Sequence, residues 1–599
     1  HNGIRQNIDS QKKEFLRPFF STMQLLCAGN NTEGLWYGVI DTPEKFWLRW
    51  KESNPEVSNE LDRSTLQLFN KERFLEFIHD FMIYDGGTKK ACRPNQYFAV
   101  KAAQPRVRKK DSGIIWEAQG SGKSLIMVWL AQWIHENVDD ARVVIITDRE
   151  ELDEQIEDNF KNAGETIKRA KSGEDLITTL NDANSWLICS LIHKFGNKDM
   201  TDGGETYGKK TPIPMKKYLE DIVAKLPEGF KAKGDLYVFV DECHRTQDGY
   251  LHEAMLKIMG DDVMLIGFTG TPLLKSDKKT SFETFGSYIH TYKFNEAVED
   301  HVILDLRYEA RNVPQYLGNK DKIDKWFDNK TRGLNPSAAA DLKRRWANMQ
   351  NLFSSKERID RIVADVCTDF DEITALNCGR GNAMLVADSI YQACRYWKAF
   401  QETALKGHCA VVTSYGATSN DLKYSDTGEG KTEDATKYDI YKEMLGGKDA
   451  ATFEAWAKEC FVKKPAQMKL LIVVSKLLTG FDAPSATYMF IDKQMHDHDL
   501  FQAICRVNRV NGEDKQYGYI VDYQDLFNSI SSAISDYTSE AFDKYDKEDI
   551  EGYLVDKHKD MRKEMDAAIE AVEALCEPIH PQTQEQYFKY FVYDSSASF

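Results

Sequence analysis

At 599 residues, 42% of them hydrophobic, the chain is long enough and apolar enough to form several folded domains. It contains no apolar run approaching the ~20 residues of a membrane helix and no visible signal peptide, so we expect no membrane partner and a cytoplasmic location. The net charge of −17 excludes a globally basic nucleic-acid binder but leaves room for a local basic groove.

The chain opens on His1 rather than on Met, so we expect a fragment, a processed form or a sequence of ordered residues only. Residues 1–85 precede every motif described below. An aromatic-rich stretch at 35–50 and a single helix predicted over 63–84 indicate a small folded connector.

A glycine-rich loop follows at residues 119–124, which read Q-G-S-G-K-S. It lies between a short apolar strand at 113–116 and a run at 125–134 that is predicted to form an amphipathic helix. A formal phosphate-binding loop has Gly at the position of Glu117, so a chance glycine-rich turn is the alternative until other motifs are found.

The residue types in the loop suit the binding of nucleotide phosphates. Gly120 and Gly122, with Ser121 between them, let successive backbone N–H groups face the phosphates. Lys123 supplies a positive charge to the same phosphates, and the Ser124 hydroxyl can coordinate Mg²⁺. The loop therefore predicts ATP and Mg²⁺ as ligands.

Two carboxylates, Asp241 and Glu242, follow an apolar run at 236–240 that is typical of a buried parallel strand. At such a strand end Asp241 can hold Mg²⁺ and Glu242 can orient and deprotonate the attacking water. Solvated acids capping a strand are the alternative. Cys243 is interpreted as a packing residue, and because the eleven cysteines include no C-x-x-C pair, reduced thiols are favoured over disulfides or zinc.

Three further motifs complete the series. Thr269-Gly270-Thr271-Pro272 follows a strand at 263–268, and the loop at 478–484, which contains Thr479, Gly480 and Asp482, follows a strand at 469–475. Gln502, Arg506 and Arg509 lie in a stretch of helical character, where the two arginines would share one helix face. Paired arginines suit γ-phosphate charge, although a pair of solvated surface arginines is the alternative.

Predicted strands and helices alternate along most of the chain, which indicates an α/β fold with parallel sheets and right-handed crossovers. A polar, glycine-containing insertion is predicted at 416–447, and an amphipathic helix is predicted from 554 to 575.

In this order, the motifs D-E-C-H-R, T-G-T-P, L-L-T-G-F-D-A-P and Q-A-I-C-R-V-N-R resemble those of a superfamily 2 nucleic-acid-dependent ATPase, most closely the motor subunit of type I restriction enzymes. The resemblance covers roughly residues 85–530. It implies two tandem RecA-like lobes, at 86–300 and 301–530. Residues 1–85 then correspond to the tail of a nuclease-type domain, and residues 531–599 to a helical C-terminal region.

The resemblance also implies roles for further residues. Arg93 and Gln96 correspond to an adenine-sensing motif, and Asp148, Arg149 and Lys194 to nucleic-acid-contacting motifs. Thr269, Gly270, Thr271, Thr479, Gly480 and Asp482 correspond to positions that couple lobe closure to the nucleic-acid track. Lys123, Asp241, Glu242, Arg506 and Arg509 are the implied catalytic residues.

By the same resemblance, the chain is expected to pull double-stranded DNA and to assemble with the methyltransferase and specificity subunits of a type I complex. No equivalent of the family's nuclease carboxylates is found within residues 1–85, so the cleavage site is expected to be missing from this chain. Another superfamily 2 helicase that unwinds DNA or RNA, and an ATP-gated scaffold without motor activity, are the alternatives.

Overall fold

A computed structural model describes residues 2–191, 230–243, 256–271, 281–313, 356–416, 433–524 and 555–579, apart from single positions or pairs within these ranges, together with positions 226, 583, 586, 587 and 590. The strands are β1 Leu26–Asn30, β2 Gly34–Gly38, β3 Leu48–Arg49, β4 Met82–Asp85, β5 Thr88–Ala91, β6 Gly113–Glu117, β7 Ala141–Thr147, β8 Lys168–Ala170, β9 Leu187–Leu191, β10 Asp235–Asp241, β11 Met264–Thr269, β12 Tyr288–Tyr292, β13 Leu306–Ala310, β14 Asn382–Ala387, β15 Cys409–Val412, β16 Leu470–Val473, β17 Ala486–Asp492, β18 Gly518–Asp522 and β19 Val555–Asp556. The helices are α1 Asn2–Ser10, α2 Arg17–Phe20, α3 Glu60–Leu68, α4 Lys71–Asp80, α5 Pro94–Lys109, α6 Lys123–Asn137, α7 Glu150–Asn162, α8 Gly173–Asn181, α9 Phe294–Glu299, α10 Lys356–Glu372, α11 Thr374–Asn377, α12 Ile390–Phe400, α13 Glu433–Leu445, α14 Ala450–Lys463, α15 Asp497–Ile504 and α16 Lys557–Cys576.

The first lobe is built on a seven-stranded sheet in the order β12-β6-β11-β10-β7-β9-β8, and all of its strand pairs are parallel. Successive side chains of β7 point to opposite faces, so that Val143 and Ile145 join one hydrophobic core while Val144 and Ile146 join another. Because both faces of the central strands are covered, strands such as β10 and β11 are mainly apolar, and this is why they were readable from the sequence. The edge strands β8 and β12 carry polar side chains and were not predicted.

The second lobe is built on another seven-stranded sheet, in the order β15-β16-β14-β17-β18-β13-β19, again with parallel pairs only. One continuous core fills it, and that core extends to Tyr292, Phe294 and Ile303 in the connection between the lobes. The prediction of two parallel-sheet α/β lobes is confirmed.

The N-terminal region packs onto the first lobe through an aromatic cluster. Trp50, which is 1% exposed, lies between Phe77 and Tyr97, with ring centroids 6.1 and 5.4 Å away. The Tyr37 hydroxyl donates to the Cys92 carbonyl at 2.8 Å. The region also reaches the second lobe, because Lys45 Nζ donates to the carbonyl oxygens of residues 512 and 515, at 2.6 and 2.9 Å.

The single helix predicted over 63–84 was wrong in extent. Two helices, α3 and α4, occupy this stretch and are followed by strand β4. The break occurs at Asn70, whose side chain accepts a hydrogen bond from the Arg73 backbone N–H and so caps the second helix. An Asn side chain at a cap competes with continuation of the preceding helix.

The helix predicted near the C-terminus is confirmed as α16. Strand β19, directly before it, pairs with β13 at the edge of the second sheet. Among the described helices, none combines the length and the apolar character that a membrane crossing requires.

Candidate functional site

The glycine-rich loop connects the end of β6 to the start of α6, as the sequence predicted. Gly120 and Gly122 have φ angles of 104° and 99°, in the left-handed region that favours glycine. A Cβ atom on Gly122 would lie 2.3 Å from Gln96 Nε2, so any other residue there would displace the Gln96 amide. Gly122 is the residue before the first turn of α6, which places the loop at a helix N-terminus.

Helix α6 is not amphipathic, contrary to the prediction from the sequence. It packs against α4, α5 and α7 as well as β7, and this enclosure buries it on nearly every side. Its buried residues are Ile126, Met127, Val128, Trp129, Leu130, Ala131, Trp133 and Ile134. A helix held this firmly gives the phosphate loop a rigid support.

Lys123 lies against both carboxylates of the strand β10 motif. Its Nζ is 2.7 Å from Asp241 Oδ1 and 2.9 Å from Glu242 Oε1. Burial alone would lower the pKa of Lys123, but the charges of Asp241 and Glu242 outweigh burial and raise that pKa above its ordinary value. The lysine therefore stays charged in the site.

Glu242 has a φ of 49°, which is unusual for a residue other than glycine. In a regular strand, successive side chains point to opposite faces. The left-handed turn at Glu242 ends that alternation and lets two consecutive carboxylates reach the same ammonium group. Strain of this kind, of the order of 1 kcal/mol, is characteristic of functional sites.

The second lobe brings Arg506 to the site. Arg506 is buried, and its guanidinium donates to the carbonyls of Gln502 and Phe481 at 3.1 and 2.9 Å. Burial, together with the neighbouring charge of Arg509, lowers the pKa of Arg506 to about 10.

Arg509 crosses from the second lobe to the first. Its Nη1 donates to the Gly120 carbonyl at 3.2 Å, and its Nε lies 3.4 Å from Asp482 Oδ1. Beside it, Asn508 Nδ2 donates to the Gln119 carbonyl at 3.1 Å. The two lobes therefore touch at the phosphate loop itself.

The sequence analysis predicted that Arg506 and Arg509 share one helix face, and this prediction was wrong. Helix α15 ends at Ile504, and both arginines lie in the turn and irregular segment that follow. The chain leaves the helix because Asn508 pairs with other elements, its carbonyl accepting from the Leu304 N–H at 2.7 Å. The arginines nevertheless reach the same site.

A single cavity between the lobes gathers most of the predicted residues. Its lining consists of Glu117, Gln119, Gly120, Gly122, Lys123, Ser124, Leu125, Asn159, Asp241, Glu242 and Gly270 from the first lobe and Thr479, Gly480, Asp482, Gln502, Arg506 and Arg509 from the second. Ser121, in the middle of the loop, is completely buried. Thr269 and Thr271 are buried beside Gly270, where the Thr269 hydroxyl donates to the Thr271 carbonyl at 3.1 Å.

Arg93 and Gln96 fasten the start of α5 to the phosphate loop. Arg93 Nη1 donates to the Ser121 carbonyl at 3.2 Å, and Gln96 Nε2 donates to the Gly122 carbonyl at 3.1 Å. Both residues also line a second cavity, which shares Gly122 and Leu125 with the first. The remaining walls of that cavity come from residues 37–43, Phe46, Leu48 and residues 88–91 of the N-terminal region.

Three predicted residues, Asp148, Arg149 and Lys194, lie outside the described part of the chain. Four lining residues were not assigned to the site by the sequence analysis: Glu117, Gln119, Leu125 and Asn159. Asn508, also unassigned, adjoins the cavity through its bond to Gln119. Asn508 stands between the two arginines in R-V-N-R, which was an available signal. The roles given to the site residues stay predictions.

Two protein-family models match the chain. One, described as SWI2/SNF2 ATPase, matches residues 95–340, and the other, described as type I restriction enzyme subunit R domain 3, matches residues 379–525. Together they cover both lobes on which the cavity is built.

Curated relatives carry corresponding names. The chain is 30% identical to the putative type I restriction enzyme MjaIXP endonuclease subunit of Methanocaldococcus jannaschii, over 82% of this chain and 43% of that protein. It is 27% identical to the type I restriction enzyme HindI endonuclease subunit of Haemophilus influenzae, over 82% of this chain and 45% of that protein. It is 24% identical to the type I restriction enzyme SauMRSORF196P endonuclease subunit of Staphylococcus aureus, over 92% of this chain and 58% of that protein. The chain thus spans about half the length of these relatives.

Among solved structures, a fragment of a putative HsdR subunit of a type I restriction enzyme from Vibrio vulnificus YJ016 aligns with 91% of this chain and 81% of its own, at 16% identity and a TM-score of 0.46. The chain therefore contains a SWI2/SNF2 ATPase region and a domain of the type I restriction enzyme R subunit, and its curated relatives are named type I restriction endonuclease subunits.

Proposed function

We propose that this chain is an ATP-driven motor that pulls double-stranded DNA as part of a type I restriction enzyme. The observation that carries the proposal is the shared cavity, into which one lobe brings Lys123, Asp241 and Glu242 and the other brings Arg506 and Arg509. Only a closed cleft assembles this set, so hydrolysis would be tied to movement of the lobes.

Within this cavity, the N–H groups at the start of α6 and the Lys123 ammonium would bind the β- and γ-phosphates of ATP. Glu242 would orient the attacking water and accept its proton. Arg506 and Arg509 would stabilise the charge that develops on the γ-phosphate in the transition state. Arg509 would then exchange its hydrogen bond to the Gly120 carbonyl for a phosphate oxygen.

The site also fits Mg²⁺. A hydroxyl, Ser124, and a buried carboxylate, Asp241, line the same cavity, and both are oxygen ligands of the kind that Mg²⁺ prefers. When bound, the ion would neutralise charge on the β- and γ-phosphates. Lys123, which now pairs with Asp241, would turn towards the phosphates as they enter.

The second cavity is the proposed place of the adenine base. It adjoins the phosphate loop at Gly122, and it combines apolar walls with the polar groups of Arg93 and Gln96. A mostly apolar pocket with a few placed polar groups is typical of sites for planar ligands. In this assignment the N-terminal region forms part of the nucleotide site.

The choice of DNA as the track rests on the relatives, which are named as type I restriction endonuclease subunits. In the motor, Asp148, Arg149 and Lys194 would contact the strand. Thr269, Thr271, Thr479 and Asp482 would transmit closure of the cleft to those contacts. Methyltransferase and specificity subunits are the proposed protein partners.

A triplex-displacement assay tests the proposal. A third strand is annealed to one end of a linear duplex, and its release is followed after addition of ATP, this chain and its methyltransferase and specificity partners. Release of the third strand while the duplex stays paired is the expected result. Separation of the duplex strands, or release that ignores ATP, would contradict a duplex translocase and favour an unwinding helicase or a scaffold.

A further inference from the structure

Glu117 ends strand β6 with a completely buried carboxylate, at the position where a formal phosphate loop has glycine. Three side chains surround it. Oε2 accepts from Asn95 Nδ2 at 2.8 Å and from Ser121 Oγ at 3.2 Å, and Oε1 lies 2.9 Å from His290 Nδ1. A buried carboxylate is costly unless such groups satisfy it, so these contacts hold Glu117 in one place.

The partners of Glu117 come from three different elements. Ser121 belongs to the phosphate loop, two residues before Lys123. Asn95 lies in the first turn of α5, beside Gln96, which itself donates to the loop carbonyl of Gly122. His290 lies on β12, which pairs with β6 at the edge of the sheet and leads into the connection between the lobes.

The carboxylate of Glu117 therefore ties the loop to α5 and β12, whereas the Lys123 ammonium, two residues after Ser121, contacts Asp241 and Glu242. Burial raises the pKa of Glu117, and the hydrogen bonds from His290, Asn95 and Ser121 partly offset that effect. Glu117 is also one of the residues that line the phosphate cavity. A residue that only filled the core would need neither a charge nor three polar partners.

We propose that Glu117 is a positioning residue for the phosphate loop: through Ser121 it fixes the loop in the form that receives the β- and γ-phosphates, while Asn95 and His290 hold Glu117 itself. This inference rests on the proposed function of the cavity as a nucleotide site. It predicts that changes at Glu117 weaken contacts to the phosphates more than contacts to the base.

The test compares the affinities of AMP and ADP for the whole chain, measured by calorimetry with Mg²⁺ present. Glu117→Ala should weaken ADP by ~10-fold, because a hydrogen-bonded charged anchor of the loop is lost, and should leave AMP nearly unchanged. Glu117→Gln should recover most of the ADP affinity, because its amide oxygen can still accept from Asn95 and Ser121. Glu165→Ala, which removes the 2.8 Å bond to Gln132 in the same lobe, is the matched control and should bind both ligands normally.

Ser121→Ala is a second, less disruptive variant with which the inference can be tested if Glu117→Ala fails to fold. It should weaken ADP roughly threefold, and its effect should vanish in the Glu117→Ala background where both variants fold, because both remove the same link. An equal loss for AMP and ADP in these variants, or unchanged ADP affinity in folded Glu117→Ala or Ser121→Ala, would overturn the inference.

The nucleotide site itself is checked in parallel. If the wild-type chain binds ADP and Lys123→Ala does not, the proposed function stands whatever Glu117 does. If the wild-type chain binds neither ADP nor ATP, the proposed function fails, and the inference about Glu117 fails with it.

Discussion

Arg509 of the second lobe donates a hydrogen bond to the carbonyl of Gly120 in the phosphate loop of the first lobe, at 3.2 Å. The same loop accepts a second bond across the cleft, from Asn508 to Gln119. Separation of the lobes would therefore withdraw Arg509 from the loop. An arginine that reaches the loop only when the cleft is closed would make ATP hydrolysis depend on closure.

Arg509→Ala should bind ATP but hydrolyse it ~10³-fold more slowly, because transition-state charge loses its stabilising partner. The measurement is steady-state hydrolysis together with ATP affinity by calorimetry. Arg361→Ala is the control, since Arg361 forms a surface pair with Glu357 at 2.8 Å and has no place in the cavity. Hydrolysis at the wild-type rate in Arg509→Ala would remove this residue from the catalytic set.

Lys123→Ala should reduce ATP hydrolysis at least ~100-fold and leave the fold intact, because the lysine supplies the charge nearest the phosphates. Circular dichroism and thermal unfolding would verify the fold. The two buried carboxylates lose their shared counter-ion, so a loss of stability is also expected. Normal turnover by this variant would contradict the assignment of the nucleotide site.

Arg506→Met should abolish hydrolysis and yet raise the free energy of unfolding by about 1–3 kcal/mol at neutral pH, because the buried charge is removed. The pKa of Arg506 is lowered from its ordinary value to about 10, so the folded state holds this proton less tightly than the unfolded chain. The cost is fully present below pH 10 and fades as the pH rises towards the ordinary pKa of arginine. Denaturant unfolding at several pH values measures it, and a destabilised variant at pH 7 would contradict the prediction.

Phe46→Ala should raise the KM for ATP roughly 5- to 20-fold and leave kcat almost unchanged, because Phe46 lines the cavity assigned to the base and an aromatic face stacks on any base. Phe69→Ala is a matched control, since Phe69 is 39% exposed, close to the 41% of Phe46, and packs on Phe74 instead. Equal KM values for wild type and Phe46→Ala would move the base out of this cavity.

Trp50→Ala should destabilise the first lobe by about 3–5 kcal/mol, because it removes the ring that joins the N-terminal region to helices α4 and α5. Chemical denaturation followed by fluorescence measures the change. Trp456→Ala, at a side chain that is 41% exposed, should cost far less. Similar losses for the two variants would show that the aromatic cluster is not a structural junction.

The elements that could be predicted from the sequence are those whose structure follows from residues close together in the chain. Strands buried on both faces are apolar throughout, as at 236–240, and the glycine-rich loop follows from residue types at fixed spacing. Helix ends were less readable. Asn70 caps α4 and ends the helix predicted through it, and α15 ends before Arg506.

The contacts that complete the site depend on residues far apart in the chain. His290 meets Glu117 across 173 positions, and Asn508 meets Gln119 across 389. No local pattern encodes such pairs, because they arise only when β12 pairs with β6 and the second lobe docks on the first. From the sequence, Glu117 looked like a mild departure from a motif, whereas in the fold it is the buried anchor of that motif.

The central claim is most directly tested by the rate of ATP hydrolysis with linear duplex DNA, single-stranded DNA, RNA or no polymer, in the presence and absence of the methyltransferase and specificity partners. We expect duplex DNA to stimulate hydrolysis strongly, most of all with the partners, and Lys123→Ala to abolish the stimulation. A preference for single strands or RNA, or hydrolysis that ignores every polymer, would contradict a double-stranded DNA motor.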